Sequence, residues 1–150
     1  MTINAILVEG LDRLGKSTLV EGIQNKLGFF QAIHFGKPKK LKIYEHSKNS
    51  YHFANGGGVE YDYQYASFDN MFKILNSTAR VIFDRAHLGE CVYSPIYRNY
   101  SGDYVYDLER NHGMASNTTT KLILLVENMF ISKHFIDDGL SFDITKRQQE

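Results

Sequence analysis

The sequence predicts an α/β domain with a central parallel sheet covered by helices on both faces. Three observations carry this expectation. Apolar runs at residues 3–8, 81–83 and 121–126 are short and nearly continuous, as strands buried on both sides should be. Between them, apolar residues recur at helical spacing. Finally, Gly10-Leu11-Asp12-Arg13-Leu14-Gly15-Lys16-Ser17 follows the first apolar run directly, where a strand should turn into a helix, and fits the phosphate-binding pattern G-x-x-x-x-G-K-[ST].

Each element can be justified in order. After the loop, Leu19, Val20, Ile23 and Leu27 form one helical face that Gly28 ends, glycine being the residue that tolerates the left-handed C-terminal turn. Residues 29–35 alternate loosely as a second strand, closed by Gly36-Lys37-Pro38, since proline cannot continue a central strand. A stretch rich in Lys and Tyr, about residues 37–59, has no clear period and reads as a mobile excursion over the site. Tyr61, Tyr65, Phe68, Phe72 and Leu75 then recur at helical spacing and make one aromatic face. Residues 80–84 are a third strand ending in Asp84. The segment 88–98 looks helical but contains Pro95, so a break or restart near Ser94 is expected. Residues 103–112 form a further short helix before the strand at 121–126. No internal repeat is present.

Composition narrows the function. Seventeen basic residues balance seventeen acidic ones, so the chain lacks the positive field that duplex binding requires, and nucleic acid is not the expected partner. The single cysteine, Cys91, excludes an internal disulfide, and the six histidines show no metal-binding spacing. No apolar run approaches a membrane span, and residues 1–4 do not open a secretion signal. A soluble, cytoplasmic protein of one domain over residues 1–150 is expected, with no membrane partner.

The loop names a ligand. Its glycines, Gly10 and Gly15, let the backbone through Asp12 and Leu14 curl so that N–H groups face a β-phosphate. Lys16 reaches the β/γ oxygens, and the Ser17 hydroxyl can hold Mg²⁺. Thr18 opens a helix whose N-terminal dipole favours the same anion. ATP with Mg²⁺ is the expected cofactor. Asp84 ends its strand as a Walker B carboxylate would, sharing the Mg²⁺ with Ser17. Arg13, inside the loop, is placed to stabilise charge on a transferring phosphoryl group. Gly10, Gly36, Asp84 and Glu127 all follow strands, so these groups should collect at one sheet edge.

Glu9 through Thr18, together with Asp84-Arg85, resembles the phosphate loop and Asp-Arg motif of thymidylate kinases. The run from Asp84-Arg85-Ala86-His87-Leu88-Gly89-Glu90-Cys91-Val92-Tyr93 to Ile96-Tyr97-Arg98 is similar to short virus-type members. The resemblance implies a P-loop three-layer α/β/α fold with strand order 2-3-1-4. It also implies that Asp12 approaches the acceptor sugar, Arg13 the transferred phosphoryl, and Arg85 the acceptor phosphate. Phe72 falls where such enzymes stack a ring on the acceptor base, with a core role equally open. Tyr93, Tyr97 and Arg98 are candidates for the same pocket. The family's Arg-Glu-Pro pattern after the second strand is replaced here by Phe35-Gly36-Lys37-Pro38, leaving Lys37 as the phosphate contact. A lid over about 133–147 would offer Arg147. Relatives carry a fifth strand and a last helix, whereas this chain ends at Glu150 as residues 145–149 begin a helix, so either a shortened domain or one whose C-terminal part is supplied otherwise is expected.

The leading expectation is a (deoxy)nucleoside monophosphate kinase that moves the ATP γ-phosphoryl to a nucleotide such as dTMP. Its acceptor is already an anion, so positioning and charge neutralisation suffice. A deoxynucleoside kinase would need a general base after the second strand, where Lys37 stands instead. A regulatory GTPase would need N-K-x-D, which Asn25-Lys26-Leu27-Gly28 does not supply. A non-catalytic nucleotide-binding module stays open, as do a homodimer and the identity of the base.

Overall fold

The structure is a computed structural model that describes residues 2–11, 14–28, 30–36 and 58–126. Asp12, Arg13, Lys37, Glu127 and Arg147, the excursion over 37–57 and the lid over 133–147 lie outside the described residues.

Four parallel strands form one sheet in the order β2-β3-β1-β4, the order expected. They are β1 (Ala5–Gly10), β2 (Gln31–His34), β3 (Val81–Asp84) and β4 (Thr120–Leu125). β1 lies in the middle, with Ala5 beside both Val81 and Thr120. β2 is two residues shorter at its start than its apolar pattern suggests, because Phe30 packs into the core ahead of the ladder.

Side-chain alternation along β1 builds the layers. Ala5 and Leu7 face one way, onto a cluster with Phe68, Met71, Phe72 and Leu75 of α2 (Gly58–Leu75) and Val105 and Leu108 of α4 (Tyr104–Asn111). Ile6 and Val8 face the other way, onto Val20 and Ile82, with Leu19 and Ile23 of α1 (Lys16–Leu27) against them. Gly28 ends α1 with φ 68°, the left-handed turn its position requires.

Between β3 and α4 runs α3 (Leu88–Tyr97), continuous through Pro95. This corrects the expected break at Ser94. Proline removes only its own bond to the preceding turn, and the helix ends two residues later, where the Arg98 N–H donates to the Ser94 carbonyl at 2.9 Å. Burial of Glu90 and Ser94 against neighbouring elements holds the rest.

α3 contributes a buried polar knot that no sequence pattern signals. The Glu90 carboxylate, 2% exposed, pairs with Arg98. It also accepts the hydroxyls of Tyr100 and Tyr104, each at 2.9 Å, and the Gln64 amide at 3.3 Å. Burial, reinforced by the Glu90 charge, pushes both tyrosine pKa values up. The phenols therefore stay protonated donors, and α2, α3 and the start of α4 are tied at one point.

His87 lies just before α3, buried against the Phe72 ring at 4.9 Å, with its Nδ1 lacking a partner. Burial pushes its pKa down to about 4; the nearest acid, Glu109, is 3.7 Å from Nε2. A folded-state value below the ordinary 6.5 means that the unfolded chain takes up the proton first. Stability is therefore whole above about pH 6.5 and declines between there and about pH 4, by up to about 3 kcal/mol. Urea midpoints measured across that range should slope downward with acid in the wild type, and the slope should flatten in His87→Leu.

Candidate functional site

The C-terminal ends of β1 and β3 place the two motifs side by side, with Val8 in register with Asp84. Asp84 shares the sheet face of Ile82, the α1 side, so its carboxylate meets the first turn of α1. The Ser17 hydroxyl donates to Asp84 Oδ2 at 3.4 Å. The loop hydroxyl and the strand-end carboxylate, expected to share a Mg²⁺, are thus neighbours.

Lys16 is 6% exposed. Its ammonium donates to the Gly10 carbonyl at 2.7 Å and to the Leu11 carbonyl, so it lies folded across the loop it belongs to. Gly15 precedes α1 with φ 80°, the left-handed turn that aims the first helical N–H groups at the loop. Leu14 is half-buried beside it and Thr18 is exposed on the first turn of α1.

Gly10 has φ 142°, and a Cβ there would lie 2.5 Å from the Leu125 carbonyl oxygen and 3.0 Å from Leu125 Cβ. Because Gly10 and Leu125 are paired in the ladder, neither backbone can retreat. Gly10→Ala should cost about 1–3 kcal/mol from overpacking, with backbone strain added. A thermal melt would show the loss of stability, and nucleotide binding should fall with it.

Arg85 follows β3 with φ 69°, a left-handed conformation that costs a non-glycine residue about 1 kcal/mol or more. Three hydrogen bonds hold this turn. The Arg85 N–H donates to the Val8 carbonyl at 2.9 Å, and Glu9 Oε1 accepts from Leu88 N–H at 3.0 Å and Gly89 N–H at 3.3 Å. Burial pushes the Glu9 carboxyl pKa up, while the N–H groups of Gly89, Ala86 and Leu88 and the nearby Lys16 charge draw it back. Glu9 thereby ties the loop-bearing strand to the segment that carries Arg85. The residue before the phosphate loop had no assigned role from its pattern alone.

Residues 15–18 of the loop, with His34, Asp84 and Arg85, line a cleft of about 270 Å³. His34 is the residue that sequence reasoning missed. It pairs in register with Asp84, and its Nδ1 lies 2.9 Å from Asp84 Oδ2. A histidine at a strand end carries no motif, and only the β2–β3 register reveals its neighbour.

Two candidates from the sequence fall away from the cleft. Phe72 is fully buried in the α2 core, between the rings of His87 and His112. This corrects its expected stacking on an acceptor base, since no ring face is left to offer. The same helical spacing that marks a pocket wall also marks a core. Tyr93 is half-buried on α3, with its ring 6.0 Å from Tyr97, and does not line this cleft.

The donor set suits a hard cation. Ser17 Oγ and the Asp84 carboxylate are oxygen donors 3.4 Å apart, and Asp84 Oδ1 is buried without a hydrogen-bond partner. Mg²⁺ is commonly held by one carboxylate with substrate phosphates completing its shell. Among the described residues no group of three or more His, Cys, Asp or Glu is placed to hold a metal.

No family model and no curated protein matches the chain. Among solved structures, it is similar to the YorR protein of Bacillus subtilis, crystallised in complex with phosphorylated GDP. The two are 16% identical with a TM-score of 0.56, over 97% of this chain and 72% of that one. At that identity the likeness speaks for the fold, a P-loop-type three-layer α/β/α arrangement with all-parallel strand order 2-3-1-4. Among the described residues no helix is long and apolar enough to cross a membrane.

Proposed function

We propose that the chain is a (deoxy)nucleoside monophosphate kinase, transferring the γ-phosphoryl group of ATP to the phosphate of a nucleotide such as dTMP. The observation that carries this reading is the convergence of residues 15–18, Asp84 and Arg85 on one cleft, with Ser17 and Asp84 3.4 Å apart. The nucleotide in the YorR complex supports a nucleotide ligand for the shared fold.

The cleft's chemistry favours an anionic acceptor. Asp84 is the carboxylate among the described residues that line it, and that group is already engaged by His34 and Ser17. A hydroxyl acceptor would call for a general base in reach, and the two groups in the cleft that could serve, the Asp84 carboxylate and the His34 imidazole, are paired with each other. An acceptor phosphate needs only neutralisation and in-line placement.

In this reading the loop amides and Lys16 bind the donor phosphates. Ser17 and Asp84 would hold Mg²⁺, which when bound neutralises phosphate charge. Arg85, fixed by its strained turn, receives the acceptor phosphate. Arg13 stabilises the group in flight, and Asp12 approaches the acceptor sugar. Lys37 and Arg147 complete the acceptor contact and the lid. The protein works without nucleic acid or membrane partners, in the cytoplasm, and a homodimer is compatible with this chemistry.

The test is ADP production by the purified chain with ATP and Mg²⁺ against a panel of nucleoside monophosphates, dTMP and dGMP included, and the matching nucleosides. Turnover on a monophosphate is expected. Turnover on nucleosides alone would replace the reading with a deoxynucleoside kinase. ATP binding with no acceptor-dependent turnover would replace it with a binding module.

A further inference from the structure

The β2–β3 ladder brings His34 level with Asp84. On a parallel sheet, side chains level in register share a face, so both point to the α1 side, where Ser17 sits. The His34 ring Nδ1 is 2.9 Å from Asp84 Oδ2, and the Ser17 hydroxyl reaches the same oxygen at 3.4 Å. Asp84 Oδ1 is buried and unpartnered. The carboxylate is thus held from one oxygen by two donors on different elements, and its rotation about the Cβ–Cγ bond is decided by them.

We infer that His34 is a positioning residue for the Ser17–Asp84 pair, and that its Nδ1–H bond to Asp84 sets the affinity of the site for the divalent cation of a nucleoside diphosphate or triphosphate. The physical reason is preorganisation. Ser17 alone is a long, single donor that leaves the carboxylate free to swing toward Lys16 or Arg85, which line the same cleft. With His34 in place the carboxylate keeps its orientation before any ligand arrives. Outer partners of a metal-holding group characteristically tune affinity in this way. His34 touches neither reacting phosphate in this account; it acts through Asp84. The inference rests on the Mg²⁺-nucleotide reading of the cleft proposed above.

Two substitutions separate the hydrogen bond from the bulk of the ring. Asparagine carries an amide N–H one bond from Cγ, as histidine carries Nδ1, so His34→Asn can keep the donor. His34→Leu cannot. Calorimetric titration of ADP at a series of Mg²⁺ concentrations, with an arm in EDTA, reads the effect without turnover. The Mg²⁺ midpoint for ADP binding should rise by about tenfold in His34→Leu and stay close to wild type in His34→Asn. ADP affinity in EDTA should be the same in all three proteins, which also shows that the loop is folded.

An unchanged Mg²⁺ midpoint in His34→Leu would overturn the inference while leaving the kinase reading intact. So would a His34→Asn variant as defective as the leucine. Wild-type protein that binds ADP with no dependence on Mg²⁺ would instead remove the Mg²⁺-nucleotide reading, and this inference with it.

Discussion

Glu90→Ala is expected to lower stability by about 3 kcal/mol, the low end of the usual cost of removing one partner of a buried ion pair, since Glu60 also faces Arg98. The alanine would leave the Arg98 guanidinium, which is 13% exposed, with Glu60 at 3.7 Å and the Ser94 hydroxyl at 3.3 Å, and would strand two tyrosine hydroxyls that now donate to Glu90. Those phenols have their pKa values pushed up by burial, so they cannot ionise to relieve the site. Against a total stability of about 5–15 kcal/mol for a domain, such a loss is a large fraction of the whole. Urea denaturation gives the number. A double-mutant cycle gives the mechanism, because Arg98→Ala should cost far less in the Glu90→Ala background than in the wild type. Additive losses would show that the pair is not coupled and that the helices are held by apolar packing alone.

Lys16→Ala is the largest effect expected on activity rather than on folding. An ammonium whose nitrogen lies 2.7 Å from the Gly10 carbonyl and also reaches Leu11 is centred on the loop proposed to cradle the donor phosphates. Removing a preorganised donor from such a site typically costs about 10²–10³ in kcat. The measurement is steady-state turnover with the best acceptor from the panel, together with ADP affinity. A fall in kcat with folding retained would assign Lys16 to the transferring phosphates. A variant that matched wild type in both would sink the phosphate-loop role. The contrast with Glu90 is physical: Lys16 lies on the proposed ligand cleft at the edge of the sheet, whereas Glu90 joins α2, α3 and α4.

Most of the scaffold is legible in the chain because its signals are local. Continuous apolar runs mark β1, β3 and β4; Gly28 marks the end of α1; the spacing from Phe68 to Leu75 marks the core face of α2. Pro95 misleads for a local reason too. The proline rule concerns an isolated helix, while α3 is held by buried Glu90 and Ser94 and needs only one more turn. Phe72 shows the limit of periodicity, since three-and-four spacing reports that a face is apolar and not whether a ligand or a core covers it.

What the sequence determined by itself is the G-x-x-x-x-G-K-S pattern at the end of the first apolar run and the Asp84-Arg85 pair at the end of the third strand, because each is written in contiguous residues. The tertiary structure alone decided that His34 meets Asp84 across fifty positions, that Glu9 secures the turn carrying Arg85, and that Glu90 gathers Gln64, Arg98, Tyr100 and Tyr104. Those contacts depend on strand register and helix placement, which are set by the packing of the whole core and by no single segment. A carboxylate in a sequence is the same residue in every context; what it holds is fixed only when the fold chooses its neighbours.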